Sequence, residues 1–287
     1  MNPPKLTIVM SVYNSEQTLG EALESIVHQT FTDWEFVICD DGSTDGTARL
    51  LREFAESLGR DRVTVLTNES NRKLAYSLNR CLGVASGELI ARMDGDDISE
   101  PDRLARQVQY LDDNPEVDLV GTTMRRFNTN GLGDVVRPAS LEPQRRTLGT
   151  SATAPFCHAT IVARRAVFET IGNYTDTWWT ERAEDLDLWF KFFRAGFTGV
   201  NVNAPLYRVR EDEAAIRRRT PRNRLAVFVT RVRGYWSLGF GPRAYTIAIV
   251  DLLKILMPYR VFDWHRTRAR NRAAAPGANS PERAGRN

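Results

Sequence analysis

Histidine and cysteine are scarce in this chain, three of each among 287 residues. Cys39, Cys81 and Cys157 lie far apart and form no C-x-x-C pair. That excludes a disulfide frame and a cysteine zinc site, and reads as small buried side chains of a reducing compartment. Long apolar runs are missing too. The best candidate, Tyr245 to Phe262, is interrupted by Asp251 and Lys254, so no helix is expected to span a bilayer. There is no G-x-G-x-x-G or Walker-type loop, so a bound phosphate would need some other source of positive charge. No internal repeat and no nucleic-acid module occur, which removes nucleic acid as a partner. Met1 to Lys5 runs straight into a strand-like segment, and no secretory leader is expected.

What is present is ordinary globular composition, 42% hydrophobic and 26% charged. The formal net charge of +3 hides an asymmetry. Residues 217–287 carry 16 Lys/Arg against 3 Asp/Glu, leaving 23 against 33 for the rest of the chain. An acidic body with a basic C-terminal arm points to an anionic partner for the arm.

The body alternates short apolar runs with amphipathic segments. Leu6 to Tyr13 reads as a buried strand, and Leu19, Ala22, Leu23, Ile26 and Val27 recur at helical spacing. Phe36–Cys39 is a second strand, running into the turn Asp40-Asp41-Gly42-Ser43-Thr44-Asp45. A helix carrying Leu50, Leu51, Phe54 and Leu58, the strand Val63–Leu66 and a helix carrying Leu74, Leu78 and Leu82 follow. Leu89 to Met93 then ends in Asp94-Gly95-Asp96-Asp97. Strand–helix alternation with short loops predicts an α/β fold, a mostly parallel wound sheet with helices on both faces. Right-handed crossovers put the strand C-termini on one edge, where wound sheets hold ligands. Three loops therefore converge there, around Ser11, Asp40 and Asp94. Further on, a helix is expected at Leu104 to Leu111 and a strand at Val117 to Thr122. Residues 129–138 read as loop and His158 to Ala163 as a strand. A helix closed by Gly172, another beginning near Glu184, and strands at 197–202 and 206–209 complete the body.

An isolated D-x-D is most often a solvated turn, but three such loops on one edge make a pocket. Clustered carboxylates repel unless a cation sits among them, and all-oxygen ligands favour magnesium, manganese or calcium. A metal held by Asp96 with help from Asp94 would suit a diphosphate. Asp41 could accept from a base N–H, and Asp40 or Asp94 could take ribose hydroxyls. Asp97 is left to capping.

Taken together, Met10–Asn14, Asp40–Asp45, Leu74–Asn79, Ser86–Asp97, Pro101–Leu104 and Glu184–Trp189 resemble the inverting family 2 glycosyltransferases of GT-A fold. Each stretch alone is modest; their order and spacing over roughly 5–210 make the resemblance specific. It implies a nucleotide-diphosphate-sugar donor, UDP-sugar favoured, with Ser11, Tyr13 and Asp41 around the base. It also implies Asp94 near the ribose, Asp96 on Mn2+ or Mg2+, and Asp185 as catalytic base. The expected acceptor is a saccharide or a lipid-linked sugar in cell-surface polysaccharide synthesis. His158, Trp178, Trp179 and Glu184 are candidate acceptor or diphosphate contacts. Two departures from the family pattern stand out: Lys73 occupies a position where glycine is frequent, and Arg210-Glu211 follows Tyr207-Arg208 where a histidine is frequent.

The expected organisation is a GT-A catalytic domain at 1–216, a basic amphipathic helical arm at 217–265 and a disordered basic tail at 266–287. The arm suits either an anionic membrane surface or packing on the catalytic domain. The expected location is cytoplasmic, peripheral on the inner face of the membrane. Two other readings share the same acids, a metal-dependent sugar nucleotidyltransferase and a non-catalytic sugar-nucleotide-binding protein.

Overall fold

The computed structural model describes residues 3–59, 61–211 and 220–253. The expected domain limit at 216/217, the end of the arm beyond 253 and the tail at 266–287 lie outside them. In chain order, β1 (Leu6–Val12), α1 (Leu19–Val27), β2 (Trp34–Asp40), α2 (Thr47–Leu58), β3 (Val63–Thr67), α3 (Leu74–Val84) and β4 (Leu89–Asp94) form a wound parallel unit of sheet order β3-β2-β1-β4. There follow β5 (Ile98–Ser99), α4 (Arg103–Asp113), β6 (Leu119–Asn128), β7 (Gly131–Val136) and α5 (Thr147–Thr150). Then come β8 (Val162–Arg164), α6 (Arg165–Ile171), α7 (Glu184–Arg194), β9 (Gly199–Arg210), α8 (Pro221–Ser237) and α9 (Pro242–Leu253). The sheet continues past β4 through β8, β6 and β9 to β5, with β8 antiparallel to both its neighbours and β6 parallel to β9. The expected α/β class and GT-A architecture are what is observed.

Side chains alternate across a strand, and the two faces of this sheet have different tenants. Ile8, Met10, Phe36, Ile38, Ala91 and Met93 pack toward α1, α2 and α4. Val9, Val37, Cys39 and Ile90 pack toward α3, α6 and α7. Arg92 and Asp94 share the phase of Ile90, so β4 delivers both toward α7.

Three expectations are corrected. Residues 131–136 form β7, antiparallel to β6; the strand is mostly exposed and so leaves no apolar period. Of His158 to Ala163, the first three residues form a 3₁₀ turn, closed by Thr160 N–H and Oγ1 donating to the Cys157 carbonyl at 2.9 and 2.8 Å. The two strands expected at 197–202 and 206–209 are one, with the register against β6 shifting just before Pro205, which lacks an N–H for the ladder.

Among the described residues no helix is long and apolar enough to cross a membrane. Tyr235, Ala244 and Ala248 of the last two described helices, with Leu238 between them, join the cluster that holds the aromatic face of α7. The crossing of α8 over α7 is close. A Cβ on Gly234 would come within 2.3 Å of the Phe190 ring, so only glycine fits there.

Candidate active site

The parallel register puts the sequence-predicted acids side by side. Ser11 stands opposite Asp94 on β4 and Cys39 on β2, and Val12 stands opposite Asp40. Tyr13, 45% exposed, follows at the open edge. Asp40 and Asp41 are both buried. The Asp41 carboxylate accepts from Asn68 Nδ2 at 2.7 Å and from the backbone N–H groups of Arg72 and Lys73 at 2.8 Å each. Those bonds fold the 68–73 loop over the β2 turn. Lys73 sits there at φ 74°, in the left-handed region that the glycine frequent at this position would adopt without strain.

At the end of β4 and in the turn beyond it, Asp94, Asp96 and Asp97 each bring a carboxylate oxygen within 4.8 Å of the others. Gly95 makes the tight turn feasible, because a Cβ there would meet Val12 Cγ1 at 2.5 Å. Asp97, left to capping on sequence grounds, caps no helix. Its buried carboxylate accepts from Arg210 N–H at 2.8 Å. Burial, then the charges of Asp94 and Asp96, push its pKa well above the usual carboxylate range. Three gathered carboxylate oxygens, with repulsion among them, are a donor set that a hard divalent cation fits.

The cation already present is Arg92. Its Nη1 and Nη2 donate to the two oxygens of Asp94 at 2.6 and 2.5 Å, with the Arg92 side chain 5% exposed. Burial opposes that charge, but Asp94 more than offsets it and holds the guanidinium above its ordinary pKa. Arg103, fully buried, donates to the Arg92 carbonyl at 3.0 Å and lies over the Tyr207 ring; burial pulls it down to about 10. Tyr207 accepts through its hydroxyl from Asp94 N–H at 3.1 Å. Arg210 Nε donates to the Asp96 carbonyl at 2.8 Å, so the arginine standing where a histidine is frequent clasps the acid turn.

Across from this edge lies the start of α7. Asp185 accepts from Leu186 N–H at 2.7 Å. Burial raises its pKa, opposed by that N–H and by Arg92. Burial and then repulsion from Asp185 push Glu184 up to about 7, again opposed by Arg92. Arg92 thus acts on the metal-type acids and on the α7 pair alike. His158 is tied to Tyr174 Oη at 2.7 Å and packs edge-on to Trp189; burial and then Arg92 keep it neutral. Trp178 and Trp179 meet edge to face just before α7, Trp178 half exposed. Trp179 is stapled to α8, with Arg233 over its ring and Thr230 Oγ1 donating to its carbonyl at 2.6 Å.

Sequence reasoning named the acids and missed the residues that hold them. Arg92 carried a readable signal, a cation two residues before Asp94 within a buried strand. Arg103 and Tyr207 stood in stretches that match the family pattern, but their partners, like those of Asn68, come from distant segments and are not readable in the sequence.

The model of the family described as Glycosyl transferase family 2 matches residues 7–172. The chain is 38% identical over 270 residues to the putative glycosyltransferase EpsE of Bacillus subtilis (strain 168), covering 93% of this chain and 95% of that one. It is 33% identical over 136 residues to an Escherichia coli UDP-Glc:alpha-D-GlcNAc-diphosphoundecaprenol beta-1,3-glucosyltransferase, WfgD, covering 47% of this chain and 52% of that one. Among solved structures, S. aureus TarS 1–349 in complex with UDP-GlcNAc superposes with a TM-score of 0.66 at 19% identity, over 88% of this chain and 71% of that one. The mannosyltransferase PcManGT from Pyrobaculum calidifontis, in complex with GDP-Man and Mn2+, gives 0.61 at 20% identity, over 97% and 77%.

Proposed function

This chain belongs to glycosyl transferase family 2, and from that premise we propose that it is an inverting, metal-dependent transferase. It moves a sugar from a nucleotide-diphosphate donor, UDP-sugar favoured, to a saccharide or lipid-linked acceptor in cell-surface polysaccharide synthesis. The observation that carries the reading is Arg92, set between three carboxylates on the sheet edge and the Glu184–Asp185 pair of α7. One acid group suits a divalent cation that would meet the donor's diphosphate, and the other suits a proton. Names of similar proteins support the donor class: WfgD uses UDP-Glc, and the two structures hold UDP-GlcNAc and GDP-Man.

In this reading Ser11, Tyr13 and Asp41 border the base, and Asp40 or Asp94 takes the ribose. Asp96, with Asp94, would hold Mn2+ or Mg2+, which when bound supplies positive charge to the departing diphosphate. Asp185 takes the proton of the attacking acceptor hydroxyl; its raised pKa gives it the proton affinity a base needs. Burial keeps that affinity up, and Asp185 in turn raises Glu184 beside it. His158, neutral, offers a hydrogen bond without adding charge.

Asp96→Ala tests the metal assignment. Manganese titration by calorimetry, with and without UDP, is expected to show affinity down on the order of 100-fold, as for loss of a principal charged ligand. Unchanged manganese binding would remove Asp96 from the metal site.

Contact with an anionic membrane surface belongs to the same reading. Trp236 (82% exposed), Ile249, Val250 and Leu253 are exposed on the two last described helices, in the arginine-rich part of the chain. Full-length protein is expected to float with phosphatidylglycerol vesicles and to sediment in their absence. Flotation that persists with purely zwitterionic vesicles at high salt would reject an electrostatic contact.

A further inference from the structure

The turn at Asn173 and Tyr174 is anchored from three helices, yet Tyr174 has no part in the chemistry of the acids around it. Its backbone N–H donates to Asn79 Oδ1 and its carbonyl accepts from Asn79 Nδ2, both at 2.9 Å, a two-bond clamp from α3. Lys191 of α7 donates to the Asn173 carbonyl. The Phe168 ring of α6 packs against the Tyr174 ring, with centroids 6.1 Å apart. The phenol, 4% exposed, is therefore held in one place.

Its hydroxyl has one partner among the described residues, His158 Nε2 at 2.7 Å. Two placements of hydrogen fit that bond. If the imidazole donates, the phenol hydrogen is left buried and unpaired. If the phenol donates, its hydrogen is satisfied and the Nε2 lone pair is used. A stranded buried donor costs more than a hydrogen bond contributes, so the second placement wins. Burial raises the Tyr174 pKa, so the phenol keeps the hydrogen it donates. The bond made by one ring nitrogen decides the state of the other. With Nε2 accepting, the single ring hydrogen of neutral His158 sits on Nδ1. That nitrogen has no partner among the described residues and is not sealed from solvent, and His158 is partly exposed.

We infer that Tyr174 is a positioning residue that fixes His158 as the Nδ1–H tautomer, and that this N–H donates to an oxygen of the donor's diphosphate. The second half rests on the transferase reading; the first does not. Free neutral histidine in water favours Nε2–H, so Tyr174 imposes the reverse of the default. The tautomer decides what His158 can do. An open Nδ1 lone pair would make it a second candidate for the acceptor's proton. An open N–H cannot take that proton, which leaves the task to α7. It can instead hold a diphosphate oxygen that gains charge as the bond to the sugar breaks. Arg92 already opposes a positive charge on this ring, so the donor stays neutral.

The full chain holds three histidines, His28, His158 and His265, so labelling histidine alone with nitrogen-15 leaves three rings to read by NMR. His28→Gln and His265→Gln identify the His158 signals. Two-bond proton–nitrogen correlation separates a hydrogen-bearing ring nitrogen from a lone-pair one. Wild type is expected to carry the hydrogen on Nδ1 and the lone pair on Nε2; the reverse pattern overturns the inference, whether or not any variant folds. Tyr174→Phe removes only the hydroxyl and is expected to move His158 toward Nε2–H. An unchanged pattern in that variant overturns the role of Tyr174. Mg2+ with UDP or GDP, whichever calorimetry shows to bind, is expected to shift the Nδ1–H proton, and the matching nucleoside is not. A bound nucleotide that leaves this proton unmoved overturns the diphosphate contact, as does an equal shift with the nucleoside. His158→Ala is expected to weaken the nucleoside diphosphate about tenfold, as for a lost hydrogen bond to a charged group, and to leave the nucleoside unchanged. A wild type that binds neither UDP nor GDP overturns the transferase reading, while the ring-nitrogen pattern still judges Tyr174 by itself.

Discussion

Asp185→Asn is expected to lower kcat by about 10²–10⁴-fold while donor affinity stays unchanged. Asparagine keeps the size and the hydrogen bond from Leu186 N–H but cannot take a proton from an acceptor hydroxyl. Single-turnover transfer with donor prebound reads the step directly, and a variant with wild-type kcat would end the base assignment. The wild-type profile carries a companion expectation. The pair must be ionised to act, and burial with mutual repulsion raises Glu184 to about 7. Activity should therefore fall as pH drops through about 7 and approach a plateau above it. The same groups tax the fold in the opposite sense. A raised carboxyl pKa means that the folded chain holds its proton more tightly than the unfolded chain. Stability from Glu184 is thus lost as pH rises from about 4.5 to about 7, then levels off. The loss is at most about 3 kcal/mol, because Glu184 keeps partial access to water. Asp185→Asn removes a neighbouring charge and is expected to melt higher than wild type above pH 7, and at the same temperature near pH 4. Catalytic competence and stability are set against each other at this one helix end.

Arg92→Met should cost about 3 kcal/mol of folding stability, measured by urea unfolding, and should also displace the pH profile. Breaking a buried ion pair strands the remaining charge, and that penalty usually exceeds what the pair itself contributed. Here Asp94 would be left with Asp96 and Asp97 and no guanidinium, although its side chain is 29% exposed and recovers some hydration. The double variant Arg92→Met/Asp94→Asn removes both charges and is expected to regain most of the lost stability. A double variant no more stable than Arg92→Met would show that the arginine's worth lies elsewhere. The kinetic readout separates structure from function. Arg92 lowers the proton affinity of Glu184 and Asp185. Without it, the acid limb of the kcat profile should move to higher pH, in the single and the double variant alike. A merely structural role would leave that limb where it is.

The wound half of the sheet is legible in the sequence because strands buried on both faces are nearly unbroken apolar runs. Leu6–Val12 is buried at all positions but Ser11, and no competing helical period exists there. The convergence of the three loops follows from handedness alone. The second half of the sheet is less legible. Its strands run both ways, and β7 is exposed and glycine-bearing, so neither alternation nor apolar content marks it. The packing of α8 also escapes sequence reasoning. Its apolar face is as suitable for lipid as for protein, and the deciding fact, a bare Gly234 against Phe190, is a contact between residues forty-four positions apart. At the site, carboxylate clusters announce themselves by composition. The arginines and tyrosine that restrain them do so through pairings that only the folded chain creates.

The clasp of β9 on the acid turn has a consequence for how the chain comes to be folded. Tyr207 and Arg210 reach back 113 residues to Asp94 and Asp97, and Arg210 also pairs with Glu21, 189 residues earlier. During synthesis the first half of the sheet emerges long before these partners, with its edge carboxylates repelling one another. Contacts of such long sequence separation form late and slowly. Closure of the acid edge by β9 is therefore expected to follow pairing of the wound half, an order that hydrogen-exchange labelling during refolding would read.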